Sequence, residues 1–194
     1  YTVDKKDKNA IFDEEIAAYK MAIDLDHTYE DAYFNLGIAY GSKGMVDEEI
    51  RTYQKVIELD SKSSEALYNL GHAYRGKEMY DESIAVFKKA IEIDPTLVDA
   101  YFNLGVSYGK KGLLDEEIQQ YKKVLDLNPN SAEAHFNLGI AYGEKKMFEH
   151  QVGEYKKAIA INPKYAKAYK NLESTYRKKG MKEEADKELS RYNN

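Results

Sequence analysis

The side chains best suited to metal binding or proton transfer in this sequence are its four histidines. They lie at His27, His72, His135 and His150, and no two of them have the short helical spacing of a zinc motif such as HExxH. Cysteine is absent, which excludes disulfides and thiolate metal ligands. We therefore expect no metal centre and no cofactor.

Neighbouring carboxylates are the second candidate for chemistry. Glu48-Glu49 and Glu116-Glu117 stand at corresponding positions of a repeat. Acidic side chains at a helix start interact favourably with the helix dipole, so we interpret these pairs as solvated helix starts rather than as a general acid and base. The sequence also contains no phosphate-binding loop, GxGxxG motif or GxSxG motif. It predicts no enzymatic activity.

The charge balance limits the class of partner. The 194 residues include 29 Lys and Arg against 34 Asp and Glu, a net charge of −5. Nucleic-acid binders neutralise phosphates with clustered basic residues, so this balance argues against DNA or RNA. No run approaches the roughly 18 apolar residues of a membrane-spanning helix, and a cytoplasmic location is expected.

A fixed repeat indicates the elements that position these residues. Five segments align without insertion at a step of 34 residues. They are AYFNLGIAY from Ala32, ALYNLGHAY from Ala66, AYFNLGVSY from Ala100, AHFNLGIAY from Ala134 and AYKNLESTY from Ala168. Apolar residues recur within each unit at spacings of three and four, which predicts two amphipathic helices per unit.

Turn and cap residues separate the two predicted helices. Gly44 interrupts the apolar pattern of the first unit, and Asp47 is a candidate N-cap for the helix that follows. Pro95, Pro129 and Pro163 end later units, because proline has no N–H to continue a helix.

A 34-residue helix–turn–helix of this pattern resembles the tetratricopeptide repeat (TPR) family. The family's leucine and tyrosine of the first helix are present in all five units, at Leu36, Leu70, Leu104, Leu138 and Leu172 and at Tyr40, Tyr74, Tyr108, Tyr142 and Tyr176. The resemblance implies an all-α, right-handed superhelical solenoid. The units it predicts are 30–63, 64–97, 98–131 and 132–165, with a partial or diverged unit at 1–29 and a capping unit at 166–194.

One position departs from the family pattern. The second helix should carry a small residue that packs on the glycine of the first helix, but Glu49, Ser83, Glu117 and Gln151 stand opposite Gly37, Gly71, Gly105 and Gly139. A glutamate at such a crossing can extend its methylenes over the glycine and leave its carboxylate in water. We interpret the departure as a tolerated variant and not as an acidic site.

The resemblance also implies a concave groove lined by the first helices. Two series of residues fall on groove positions. The asparagine series is Asn35, Asn69, Asn103, Asn137 and Asn171, and the aromatic series is Phe34, Tyr68, Phe102 and Phe136, with Lys170 at the fifth place. Repeated amides can donate to and accept from an extended peptide backbone, and some TPR proteins use such asparagines in this way. The alternative is that they support packing between helices.

The other TPR groove, a clamp for a C-terminal dicarboxylate, is not predicted, because aromatic residues and Ile38, His72, Val106 and Ile140 occupy its Lys and Asn positions. From Lys164 to Arg191 the chain nevertheless carries nine basic and five acidic residues. Lys167, Lys170, Arg177 and Lys178 fall on groove positions there. They either receive an acidic part of a ligand or form a polar cap.

Both ends bear on self-association. Residues 11–25 match a second helix, while residues 1–10 match only part of a first helix, so Phe12, Ile16 and Tyr19 are expected to be partly exposed. At the other end, Ala185, Leu189 and Tyr192 share one face of an otherwise polar helix, as expected of a cap.

The sequence predicts a non-catalytic scaffold that binds a peptide or partner helix in the groove. Two alternatives stay open. One is a self-assembling scaffold that forms an oligomeric coat through the ends of the array, of which magnetosome-type TPR proteins would be an example. The other is a piece of a larger protein whose catalytic domain lies elsewhere.

Overall fold

The fold is entirely helical over residues 5–193, the part of the chain that the computed structural model describes. Eleven α-helices and no strand occur in this range. They are α1 Lys5–Leu25, α2 Glu30–Lys43, α3 Val46–Leu59, α4 Ser64–Gly76, α5 Tyr80–Ile93, α6 Val98–Lys110, α7 Leu114–Leu127, α8 Ala132–Glu144, α9 Phe148–Ile161, α10 Ala166–Lys178 and α11 Lys182–Asn193. We call the even-numbered helices first helices and the odd-numbered ones second helices. The division of the sequence into the six predicted units stays a prediction.

The turns from first to second helix use the left-handed backbone region. Gly44, Gly112 and Gly180 have φ values of 77°, 72° and 77°, where glycine has no Cβ to clash. Glu78 and Lys146 occupy the equivalent turns with φ of 60°. Asp47 was wrongly predicted to cap α3, because the helix already begins at Val46 after Met45; the aspartate lies in the first turn, where the helix dipole still favours it.

The chain divides into two compact units, at residues 1–100 and 101–194, with the boundary inside α6. In the first unit each of α1 to α4 packs on the helix that follows it in sequence. In the second unit α7 to α10 do the same. Nearest-neighbour packing of this kind is typical of repeat proteins, and the predicted all-α fold is confirmed.

The core of each unit is built from the repeated apolar positions. Leu36 and Leu70 are buried in the first unit, and Leu104, Leu138 and Leu172 in the second. The largest fully buried side chains are aromatic residues of the second helices, Tyr53, Phe87, Tyr121 and Tyr155. Each burial of this size contributes roughly 1.5–3 kcal/mol, so these rings account for much of the stability.

The predicted exposure of Ile16 was wrong. Ile16 is buried between α1 and α2 with Ile23 and Leu36, and Tyr19 packs against the same cluster. The exposed apolar residues of α1 lie on another face, at Ile11, Met21 and Leu25. At the C-terminal end Ala185 is buried as predicted, whereas the side chains of Leu189 and Tyr192 fall outside the described residues.

An ion pair recurs on the surface between an aspartate of a second helix and a lysine at the end of the next first helix. It joins Asp13 to Lys43 and Asp47 to Lys77 in the first unit, and Asp115 to Lys145 in the second. The carboxylates are exposed, so each pair contributes little to stability. None of the helices between residues 5 and 193 is long and apolar enough to cross a membrane.

Candidate functional site

The first helices carry rows of residues that share one helix face by their spacing of three and four. These rows are Phe34, Ile38 and Gly41 on α2; Tyr68, His72 and Arg75 on α4; Phe102, Val106 and Gly109 on α6; Phe136, Ile140 and Gly143 on α8; and Lys170, Ser174 and Arg177 on α10. We call the surface formed by these rows within each unit the first-helix face.

Every member of the aromatic series packs on the aromatic residue of its second helix. The ring centroids are 5.8 Å apart for Phe34 and Tyr53 and 6.0 Å for Tyr68 and Phe87. Phe102 lies 5.5 Å from Tyr121. These distances are typical of stabilising aromatic pairs, and the three series members remain half-buried. Part of each ring is therefore available on the first-helix face.

Phe136 differs from the other aromatic residues. Its ring lies between Tyr155, at 5.7 Å, and Tyr165, at 5.1 Å, and the residue is only 8% exposed. A ring enclosed on two sides contributes mainly to the core, so sequence position alone overstates its availability to a ligand.

The asparagine series is half-buried throughout, but its amides are used differently. The Asn35 Nδ2 donates to the Asp31 carbonyl of its own helix at 2.8 Å. The Asn171 Nδ2 donates to the Tyr155 hydroxyl at 3.5 Å. Some of the amide donors are thus directed to the protein itself, which supports a packing role for these members.

The basic residues predicted at the last first helix are only partly free. Lys167, Lys170 and Lys178 are exposed on α10. Arg177 instead donates to Glu173 and Asp186, at 2.8 and 2.9 Å. The arginine therefore stabilises the contact between α10 and α11 and is engaged before any ligand arrives.

The glycines of the first helices do not meet the residues that the sequence suggested. A Cβ added to Gly37 would lie 2.7 Å from the Tyr53 ring, and the same holds for Gly71 with Phe87 and Gly139 with Tyr155. The predicted crossing of Glu49 over Gly37 was wrong, because the aromatic ring one turn further along the second helix occupies that space.

A second glycine, one turn after the first, receives the glutamate side chains instead. A Cβ on Gly41 would lie 2.8 Å from the Glu49 carboxylate carbon, and one on Gly109 would lie 2.7 Å from that of Glu117. The expectation that these carboxylates reach water was wrong for Glu117, which is only 7% exposed, whereas Glu49 is half-buried. The signal in the sequence was the second glycine itself, which occurs wherever the acid or amide does.

Burial changes the acid–base properties of these carboxyl groups. It raises the pKa of Glu49 above the ordinary value. Burial, and to a lesser extent the charge of Glu144, raises the pKa of Glu117 to about 7, although a hydrogen bond from the Tyr121 hydroxyl acts in the opposite direction. Desolvation penalises the charged form of an acid, so this carboxyl group titrates near neutrality.

The corresponding positions in other units vary together. Gln151 lies over Gly143 and its amide faces the Tyr155 hydroxyl at 3.5 Å. Where the second helix carries Phe87, which has no hydroxyl, the partner is the small, buried Ser83. Where the second helix has a buried tyrosine, the residue four positions before it is Glu or Gln and lies over a glycine of the first helix. Where the second helix has a phenylalanine, that residue is a serine.

Arg75 stands in the first-helix row at the position where α2, α6 and α8 have glycine. Its Nε is buried and has no hydrogen-bond partner among the described residues. Burial and the charge of Arg75 lower the pKa of the neighbouring His72. Buried donors are nearly always paired in native proteins, so this N–H is a candidate contact for an acceptor on a ligand.

Two of the concave sites within the second unit bear on binding. One, of about 490 Å³, includes His135, Tyr142 and Glu154, and the His135 Nδ1 lies 2.6 Å from the Glu154 carboxylate. The other, of about 250 Å³, is lined by Lys146, Phe148, Gln151, Lys178 and Lys179 among others. In the described part of the chain, no three His, Asp or Glu residues are placed to hold a metal ion.

Comparisons with known proteins agree with this architecture. The family model described as TPR repeat matches residues 12–44, 71–112 and 113–146. Two further tetratricopeptide repeat models match residues 52–85 and residues 30–63 and 132–165. No curated protein matches the chain.

Several solved structures are similar. One crystal structure of MamA is 28% identical, covers 84% of this chain and 89% of that chain, and has a TM-score of 0.79. Another crystal structure of MamA is 30% identical, with 86% and 99% coverage and a TM-score of 0.78. YrrB, a TPR protein with an unusual peptide-binding site, is 26% identical over 90% of both chains, with a TM-score of 0.76. Because the TPR repeat model alone matches more than half of the sequence, the chain belongs to the tetratricopeptide repeat family.

Proposed function

We propose that this chain is a non-catalytic protein-interaction scaffold that holds an extended peptide on its first-helix face. The observation that carries the proposal is that half-buried aromatic rings lie on that face and that a member of the asparagine series follows each of these rings by one residue along the helix. Extended peptides bind through such a combination, because amides satisfy their backbone and apolar surface receives their side chains. The similarity to YrrB, a peptide-binding TPR protein, supports the same function.

Two features of the first unit strengthen the proposal. Ile38 exposes 45% of its surface in the middle of the α2 row, and a peptide side chain would remove this apolar surface from water. On α4 the unpaired Arg75 Nε offers a donor that a peptide carbonyl would satisfy. The second unit presents Val106 and Ile140 in the equivalent row positions, both half-buried.

A matched pair of isoleucines tests the location of the site. Peptides that bind the purified chain are first selected from a random display library. We then expect Ile38→Glu, on the first-helix face, to weaken binding at least tenfold, whereas Ile93→Glu at the end of α5 should leave it unchanged. Both residues are exposed to a similar degree, 45% and 40%. Ile140→Glu and Ile161→Glu form the corresponding pair in the second unit.

The affinities are measured by biolayer interferometry, with circular dichroism as the check on folding. Selected peptides that bind all four folded variants equally would place the site on another surface. A library that yields no binding peptide would refute the peptide-binding function itself.

A self-assembling scaffold is the second candidate, favoured by the exposed apolar residues of α1. Leu25 is 89% exposed, Met21 68% and Ile11 50%, and a row of this kind favours association of copies. If it drives assembly, Met21→Lys combined with Leu25→Lys should reduce the mass measured by light scattering at high concentration. Ile93→Lys is the control. A monomeric wild-type chain at all concentrations would exclude this function for the α1 face.

A further inference from the structure

The cavity of about 250 Å³ in the second unit is lined by several basic residues and no acidic one. It lies where α8 ends, α9 begins and α10 ends. Three of its lining residues are Lys146, Lys178 and Lys179, and the remaining walls include the Phe148 ring, the Gln151 amide and Thr175. We call this site the lysine pocket.

The three lysines make no ion pair with any carboxylate in residues 5–193. This contrasts with the recurring surface pair described above, in which Lys145 binds Asp115. Lys179 and Glu149 occupy the corresponding sequence positions, 34 residues further on. The Lys179 Nζ instead lies 5.1 Å from the centre of the Phe148 ring. The recurring ion pair is therefore replaced here by a cation–π contact.

Comparison with the preceding repeat shows that the floor and the rim of the pocket have both changed. Glu117 and Glu144 stand 34 residues before Gln151 and Lys178. Where the earlier repeat places two carboxylates near each other, the lysine pocket has a neutral amide and an ammonium group. Both carboxylates are therefore lost at these two positions, and one of them is replaced by a lysine.

Helix electrostatics account for only part of this arrangement. Lys178 and Lys179 lie at the end of α10, where the helix dipole favours cations. That effect does not explain Lys146, which is held in the turn after α8 at φ 60°, or the neutral Gln151. Three ammonium groups around one cavity repel one another unless an anion lies between them.

We infer that the lysine pocket binds an aspartate or glutamate side chain of the partner peptide. The ammonium groups and the Gln151 amide supply donors for the carboxylate, and the Phe148 ring contacts the methylenes of the bound side chain. This inference rests on the peptide-binding function proposed above and adds its charge specificity. It runs against the overall charge of the chain, which is −5 and by itself would favour basic peptides.

Selection from a random twelve-residue peptide library tests the pocket separately from the general function. Wild-type protein should enrich peptides that carry Asp or Glu at a preferred position. The double variant Lys146→Gln/Lys178→Gln should still select peptides but without the acidic preference. Its affinity for a wild-type-selected peptide should fall roughly five- to tenfold, as expected for the loss of two partly exposed ion pairs. Lys89→Gln, an exposed lysine on α5, is the matched control and should change neither result.

The possible results of the selection distinguish the lysine pocket from the general peptide-binding function. Binding peptides without acidic enrichment would overturn the lysine pocket and leave the peptide-binding function in place. Acidic enrichment that persists in the double variant would also overturn it, because the preference would then arise elsewhere. If replacing the selected acid by its amide weakens binding to wild type but not to the folded double variant, the side chain and the pocket are directly coupled. A library that yields no ligand would overturn both proposals.

Discussion

The carboxyl group of Glu117 lies between a glycine and the hydroxyl group of a tyrosine. Gly109 provides the space, Tyr121 donates a hydrogen bond, and Glu144 adds a second negative charge nearby. Burial has the largest effect and raises the pKa of Glu117 to about 7. The folded state therefore binds this proton more tightly than the unfolded state does.

Glu117→Gln should make stability less dependent on pH. In the wild type, the contribution of this carboxyl group is fully present below the unfolded pKa of about 4.5 and is lost as pH rises through the folded pKa of about 7. A difference of this size corresponds to at most about 3 kcal/mol. We expect the variant to be more stable than wild type at pH 8 and to lose that advantage at pH 4.5.

Urea denaturation at a series of pH values provides the measurement. Glu116→Gln is the control, because Glu116 is exposed on the same helix and its substitution should change stability little at any pH. If Glu117→Gln and wild type keep a constant difference from pH 4.5 to 8, the carboxyl group does not titrate in the folded protein as described. The Gln151 amide shows that a neutral side chain fits the equivalent site.

At the scale of the helix pair, the closest approach is between a first-helix glycine and a second-helix ring. Gly37, Gly71, Gly105 and Gly139 make this contact, and a Cβ at any of them would come within 3.0 Å of an aromatic atom. The Tyr53 and Tyr121 rings are fully buried and so have little room to move. These crossings fix how tightly each pair packs.

Two glycine-to-alanine substitutions should therefore change the stability of the protein in opposite directions. Gly37→Ala should destabilise the protein by roughly 1–3 kcal/mol, because the added methyl group overpacks against Tyr53. Gly153→Ala, on α9, should stabilise it by about 0.5–1 kcal/mol, since alanine is the better helix former and no atom lies within 4 Å of the added Cβ. Thermal melts by circular dichroism provide the comparison. A stabilising Gly37→Ala would show that the helices separate at little cost.

The helices could be predicted from the sequence better than the contacts between them. The step of 34 residues and the buried leucines, such as Leu70 and Leu138, are local patterns that fix helices and their apolar faces. The glutamate at position 49 was assigned to the wrong glycine because that contact depends on the relative shift of two helices. Sequence spacing gives the period of a helix but not its sliding against a neighbour.

The exposure of the candidate-site residues was only partly predictable from the sequence. Lys170 and Lys178 are exposed as the groove pattern suggested. The burial of Phe136 depends on Tyr165, which comes from the loop before α10, and no periodic pattern reports that contact. The lysine pocket could likewise not be predicted from the sequence, because it depends on the backbone of the turn at Lys146. This residue has a left-handed conformation, which is usually found at glycine.

On the scale of the whole chain, stability should depend on position along the sequence. In a repeat protein each helix pair is stabilised by its neighbours on both sides, so damage in a central repeat uncouples more of the molecule than damage near an end. Leu104 on α6 and Leu172 on α10 are both almost completely buried. Their local environments are therefore similar enough for the comparison.

Leu104→Ala should lose roughly 2–5 kcal/mol, and Leu172→Ala should lose less, because the last helices can unfold without the rest. Guanidinium denaturation gives the free energies of unfolding. Hydrogen exchange should show the faster amides of Leu172→Ala confined to α9, α10 and α11. Equal free-energy losses and exchange spread over all helices would instead indicate a single cooperative unit.

The pairing of a buried tyrosine with a carboxyl group also gives the molecule an optical reporter. The chain has 18 tyrosines and no tryptophan, so its ultraviolet emission comes from phenol rings alone. An excited phenol is a much stronger acid than a phenol in its ground state, and its emission is quenched when an ionised carboxylate accepts its hydrogen bond. The emission of Tyr121, whose hydroxyl donates a hydrogen bond to Glu117, should therefore decrease as the acid ionises near pH 7. The protonation of one buried group then becomes visible without any label.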